Sequence, residues 1–244
     1  MLTYIEVSVS NDPFRGGVTL VSKAKKTSID EVDSIKIYRK ENNFSADLVL
    51  LDTIKVTSVS DLNFKRFDMT AVSGKEYVYV IDVMSADDMM PIEFQQFGVV
   101  KCKFDGLFVG DNNKQFLAGV NFKTEVKQNT QVEYVTTLNS KFPFRVSNSI
   151  TNYSTGASEG LFLKFLEDKK RFIPDYDHSF SKSVIDFLTD GNSKIVKTHD
   201  GQIWYVSIDA NPIPVYSDYT GMNAVSFNWT EIGDVPQFGM VIDE

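Results

Sequence analysis

The chain has 244 residues, enough for one large or two ordinary domains. Its 42% hydrophobic and 24% charged residues exclude a disordered polymer. A net charge of −8 argues against binding to phosphate backbones, since no basic excess exists to displace counterions. The acidity is spread evenly: residues 1–93 carry 11 basic and 15 acidic side chains, and the remainder 14 and 18. Cys102 is the single cysteine, which excludes an internal disulfide and a cysteine-rich zinc site and fits synthesis in a reducing compartment. The N-terminus MLTYIEVSVS has neither the basic region nor the apolar run of a signal peptide. No stretch reaches the roughly 20 apolar residues of a membrane-spanning helix.

Residues 1–93 read as short strands. Ile5, Val7 and Val9 alternate with polar residues, as do Ile35 and Ile37, then Phe67, Met69 and Ala71. Tyr77, Tyr79, Ile81 and Val83 form the strongest alternation. Turns are expected at Asn11-Asp12-Pro13, Gly16-Gly17, Glu41-Asn42-Asn43 and Ser73-Gly74. Strands at this spacing predict a small antiparallel sandwich. Ser85–Pro91 (SADDMMP) breaks the alternation, as a linker or as a loop into a last strand, and the domain boundary is placed near residue 95.

The second half, residues 94–244, predicts a β-barrel or sandwich with one short helix near 181–189. Strand-like KCKFDGLFVGD leads to a turn at Asp111-Asn112-Asn113. AGVNFKTEV should place Val120, Phe122 and Val126 on one face. VEYVTTL, FPFRV and GLFLKFL follow as strands, and Pro174 disfavours helix at Ile173. Val184, Ile185, Phe187 and Leu188 give an apolar stripe at helical spacing, with Ser181 or Ser183 as N-cap and Gly191 as terminator. Lys194–Thr198 and Gln202–Ile208 should pair as a hairpin, Asp200-Gly201 supplying its positive φ angles. A loop starts at Asn211-Pro212-Ile213-Pro214, and Val225, Phe227 and Trp229 mark the inner face of the final strand.

Catalytic signatures are missing. There is no G-x-S-x-G, GxGxxG or Walker motif. His178 and His199 read as exposed polar residues, because no partner is specified to orient either as a base. Cys102 reads as a small buried side chain; in a strand, Lys101 and Lys103 point away from its sulfur. The loop Asp105–Asn113 has oxygen ligands for calcium but lacks the EF-hand spacing, so a hairpin turn is the simpler reading. Asp87-Asp88 reads as a solvated pair. Trp204, Tyr205 and Trp229 could make a sugar-stacking face, with core packing the simpler account. No catalytic, cofactor-binding or metal-binding residue is assigned.

Two resemblances add to this reading. AVSGKEYVYVIDVMS resembles the E–F corner and F strand of a fibronectin type III module, with Tyr77 as the corner tyrosine and SIKIYRKE as strand C. The tryptophan usual in strand B has no counterpart here. The resemblance implies an N-terminal immunoglobulin-like sandwich over residues 1–93.

In the second half, TTLNSKFPFRVSNSITNYSTGASEGLFLKF, then SVIDFLTDGNSKIVKTHDGQIWYVSI, then VSFNWTEIGDV resemble structural proteins of the tail tip or baseplate of phages infecting Gram-positive bacteria. In that class a K-[FY]-P-F segment leads to a strand beginning G-[LM]-F. A helix ending F-L-T-[DN]-G, a hairpin and a strand ending E-I-G-D follow. The helix and hairpin also resemble those of distal tail proteins, whose β domain oligomerises into a ring. The match covers residues 130–235. It implies a non-enzymatic virion subunit made in the host cytoplasm, a homo-oligomeric ring, and other tail or baseplate proteins as partners. A carbohydrate- or receptor-binding module using the aromatic strands is the alternative.

Overall fold

The computed structural model describes residues 4–86, 90–138, 140–166, 171–173, 178–209, 212–216, 223–235 and 240–242. The chain is mainly β. The N-terminal strands are β1 (Ile5–Asp12), β2 (Gly17–Ala24), β3 (Val32–Glu41), β4 (Val49–Lys55), β5 (Lys65–Asp68), β6 (Glu76–Ser85), β7 (Pro91–Gln96) and β8 (Val100–Lys101). They are followed by β9 (Leu107–Gly110), β10 (Gln115–Val135), β11 (Phe144–Phe162), β12 (Lys164–Leu166) and β13 (Arg171–Ile173). After helix α1 (Ser179–Leu188) come β14 (Lys194–Thr198), β15 (Ile203–Ile208), β16 (Ile213–Tyr216), β17 (Asn223–Gly233) and β18 (Met240–Ile242). No described helix is long and apolar enough to cross a membrane.

Strands β1-β2-β5-β18 form one antiparallel sheet, and β4-β3-β6-β7 a second, with β8 also pairing with β6. The strands of a third sheet run in the order β11-β10-β9-β14-β15-β17-β16, and β11 also pairs with β17, which closes a six-stranded barrel. Closure satisfies the backbone groups that an open sheet edge would leave unpaired.

By contacts the chain divides into two compact units. The first is Met1–Leu117 with Ile195–Ile203 and Val235–Glu244; the second is Ala118–Lys194 with Trp204–Asp234. These limits differ from a single cut near residue 95. The reason is packing: Cys102, Phe104 and Phe108 join the same apolar cluster as Ile5, Val18 and Leu20 of one N-terminal sheet and Ile35, Tyr79 and Ile81 of the other. The Ser85–Pro91 stretch connects β6 to its antiparallel neighbour β7, so it leads into another strand of the same sheet.

Several local expectations need correction. His178, in the left-handed region (φ 58°), is the N-cap of α1, not Ser181 or Ser183. The Ser183 hydroxyl instead donates back to the Phe180 carbonyl at 2.7 Å. The predicted apolar stripe does bury Val184, Phe187 and Leu188. In the β14–β15 turn Gly201 has positive φ (91°) and Asp200 does not. Three residues, His199 to Gly201, therefore make the turn, with glycine at the left-handed position. At residues 120–123 a bulge, with Asn121 at φ 48°, shifts the register. The shift breaks the alternation expected to put Val120 and Val126 on one face, and both are 43% exposed. Pro214, expected in a loop, lies in β16; residues 217–222 lie outside the described residues.

Candidate functional site

The first unit contains a buried polar centre. Asp68, at the end of β5, is fully buried. Its carboxylate accepts from the Arg39 guanidinium (2.7 Å), the Tyr79 hydroxyl (2.8 Å), and the amide (3.0 Å) and hydroxyl (2.8 Å) of Thr70. Arg39 also donates to the Thr70 hydroxyl at 2.8 Å and lies 4.9 Å from the Tyr77 ring centre. Burial by itself would raise the Asp68 carboxyl, but the Arg39 charge with the Tyr79 and Thr70 hydroxyls outweighs it and holds the group below its usual value. Burial pushes Tyr77 up to about 12 and Tyr79 well above its ordinary value.

Nearby, Lys197 of β14 is fully buried. Its ammonium donates to the carbonyls of Gly16 and Met69 and lies 5.2 Å and 5.5 Å from the Phe104 and Phe108 ring centres. Burial pulls this amine down to about 8. The groups of this centre satisfy one another, and both Lys197 and Asp68 are sealed from solvent. The arrangement ties β3, β5, β6 and β14 together; it presents no reacting atom to a substrate.

The residues singled out from sequence are scattered. His178 and His199 are exposed and far apart in the chain, one capping α1 and the other following β14. Cys102 is fully buried, and burial pushes its thiol up to about 11, away from the reactive thiolate. Of the Asp105–Asn113 stretch Leu107–Gly110 is strand β9 and not loop, and the Asp111 carboxylate accepts the amides of Asn113 (2.9 Å) and Lys114 (3.0 Å), the bonding of a turn between β9 and β10. Asp87-Asp88 lies outside the described residues. Trp229 is 0% and Trp204 8% exposed, with ring centres 4.9 Å apart and the Trp229 indole N–H donating to the Ser158 hydroxyl at 2.9 Å. Neither ring offers a face to a ligand. Among the described residues no group of three His, Cys, Asp or Glu is placed to hold a metal ion.

Two surfaces stand out instead, each exposing several large apolar side chains. The first is a cleft of about 710 Å³ on the outer face of the β3-β6-β7 sheet, where Phe44, Leu48, Val78, Val80 and Phe94 line it together with Lys40, Glu41, Asn42, Asn43 and Gln96. Alternation explains it. Tyr77, Tyr79 and Ile81 of β6 face the core, so Val78 and Val80 must face outward, where β7 places Phe94. Phe44 is fully exposed and Phe94 is 57% exposed. Asp82, on the same face and paired across strands with Phe94, has one buried carboxylate oxygen without a partner, and burial raises its pKa.

The second surface belongs to the second unit. From Thr155 to Leu161, β11 is paired on both sides, with β10 and β17. Beyond that point β10 and β11 continue as a two-stranded ribbon, from Asn129↔Tyr153 to Val135↔Phe144. Seven residues of β10 at about 3.3 Å each make this ribbon roughly 23 Å long. A three-residue offset follows Thr130↔Asn152, after which Val135, Phe144 and Val146 share one face. All three are exposed, as are Leu138, Phe142 and Ile150.

The long ribbon escaped sequence reading because VEYVTTL and FPFRV look like ordinary strands; only register shows that no third strand among the described residues accompanies them. Phe44, an aromatic in the polar loop ENNFSADL, was a visible signal for the cleft. No family model, curated protein or solved structure matches this chain.

Proposed function

We propose that this chain is a non-catalytic assembly subunit of a virion, part of a phage tail tip or baseplate. It oligomerises and docks neighbouring tail proteins after synthesis in the host cytoplasm. The N-terminal unit would be an immunoglobulin-like sandwich of fibronectin type III character. Two observations support that detail: both N-terminal antiparallel sheets contribute to one core, and the Tyr77 hydroxyl accepts the Val72 amide at 3.0 Å.

The observation that carries the assembly reading is the β10–β11 ribbon, which no third strand accompanies among the described residues. A two-stranded hairpin is marginal alone in water, and this one exposes Val135, Leu138, Phe142, Phe144 and Val146 around its tip. Burying what these five expose is worth roughly 5–10 kcal/mol before the cost of association. The sequence resemblance to tail-tip proteins over residues 130–235 supplies the class of assembly.

Light scattering after gel filtration, with negative-stain imaging, tests this. The wild type should form a ring, and replacing residues 131–147 by a short Gly-Ser turn should leave a folded monomer that loses only the strand residues of the ribbon itself. A wild type that stays monomeric at all concentrations would overturn the proposal. Antibody against the chain should label the tail tip on virions, and label elsewhere would exclude the phage tail.

A further inference from the structure

We propose that the ribbon tip of one copy seats in the Phe94 cleft of a second copy, so that subunits join head to tail. This names the docking surfaces and rests on the assembly reading above. The cleft and the tip both expose large apolar side chains. Phe44 and Phe94 stand exposed on one, Leu138 and Phe144 on the other. The cleft, at about 710 Å³, is the size of a pocket that takes a compact apolar group, which suits a few large side chains from the tip.

Charge selects a second copy as the occupant. Residues 127–155 hold Lys127, Lys141 and Arg145 against Glu133, a net charge of +2. The rest of the chain, with 22 basic and 32 acidic residues, carries −10. The cleft's own Lys40 and Glu41 offset each other, so the attraction is that of the basic ribbon for the acidic body of the next copy as a whole, while two such bodies repel each other. Tip and cleft are different surfaces, so the contact is heterologous: it propagates, and makes a ring where the rotation closes.

Complementation between two single variants tests the pairing. Phe94→Asp spoils the cleft and Phe144→Asp spoils the tip; both side chains are exposed, and circular dichroism checks that each variant is folded. Alone, each should be monomeric by light scattering. Mixed in equal amounts they should give dimers and nothing larger, because the intact tip of one fits the intact cleft of the other. A Phe94→Asp protein that assembles like wild type overturns the cleft assignment while leaving the assembly reading intact, and it frees the cleft for another class of ligand. Folded variants that stay monomeric when mixed also overturn it. A monomeric wild type removes both.

Discussion

The buried ammonium of Lys197 makes the sharpest test of the interior. In the unfolded chain this amine titrates near 10.5, and in the fold burial brings it to about 8. Between those values the unfolded state holds the proton and the folded state has released it. Stability therefore rises with pH across that window, by about 3 kcal/mol in full. Between pH 7 and 9 the gain is about 1 kcal/mol. Cys102 works the other way: its thiol, pushed to about 11 from 9, keeps its proton longer in the fold, so stability falls as pH passes between those values. Replacing Lys197 with Met removes the lysine contribution and leaves the thiol. It also leaves the Gly16 and Met69 carbonyls without their donor, at about 1–3 kcal/mol each, a loss that does not vary with pH. Urea denaturation of both proteins at pH 7, 8 and 9, followed by circular dichroism, gives the stability difference. It should shift by a little over 1 kcal/mol toward the wild type as pH rises. A difference that stays constant would mean that the two carbonyls and the surrounding rings hold the ammonium at its ordinary pKa, and the reasoning would fail.

Arg39→Ala leaves Asp68 buried without its cation and should cost about 3–5 kcal/mol in chemical denaturation at pH 7. The depressed Asp68 pKa stabilises the wild type above the unfolded carboxylate value, so the difference should shrink as pH falls through the folded one. Gly156→Ala would bring a methyl within 2.2 Å of the Trp229 ring, and overpacking of this kind should lower stability by about 1–3 kcal/mol in the same measurement. The Cys102 thiol should resist a thiol reagent at pH 8 in the native protein and react at once in denaturant; rapid native labelling would contradict its burial.

Much of the fold was legible because alternation reports burial. Ile35, Tyr79 and Ile81 in one half, and Val225, Phe227 and Trp229 in the other, are buried as their spacing predicts. Turn residues marked the Asp12–Gly17 and Asp111–Lys114 connections correctly. Misreadings fell where tertiary context competes with local chemistry. The helix cap moved to His178, and the bulge at Asn121 undid the face assigned to Val120 and Val126. Of the candidate surfaces, Phe44 was visible as an aromatic in a polar loop. The outward-facing Val78 and Val80 were hidden within a run that is apolar on both faces.

By itself the sequence determined that this is a β-rich chain with one helix, one cysteine and no recognisable catalytic motif. Those properties follow from composition and local period, which need no partner in space. Tertiary structure alone decided that Arg39 meets Asp68, that Lys197 closes over the Gly16 and Met69 carbonyls, and that β10 and β11 run on past their third strand. The reason is sequence separation. Lys197 and Gly16 lie 181 residues apart, and no local pattern encodes a pairing over that distance. Only the register of the assembled strands brings such groups together, and only that register leaves the ribbon two-stranded among the described residues.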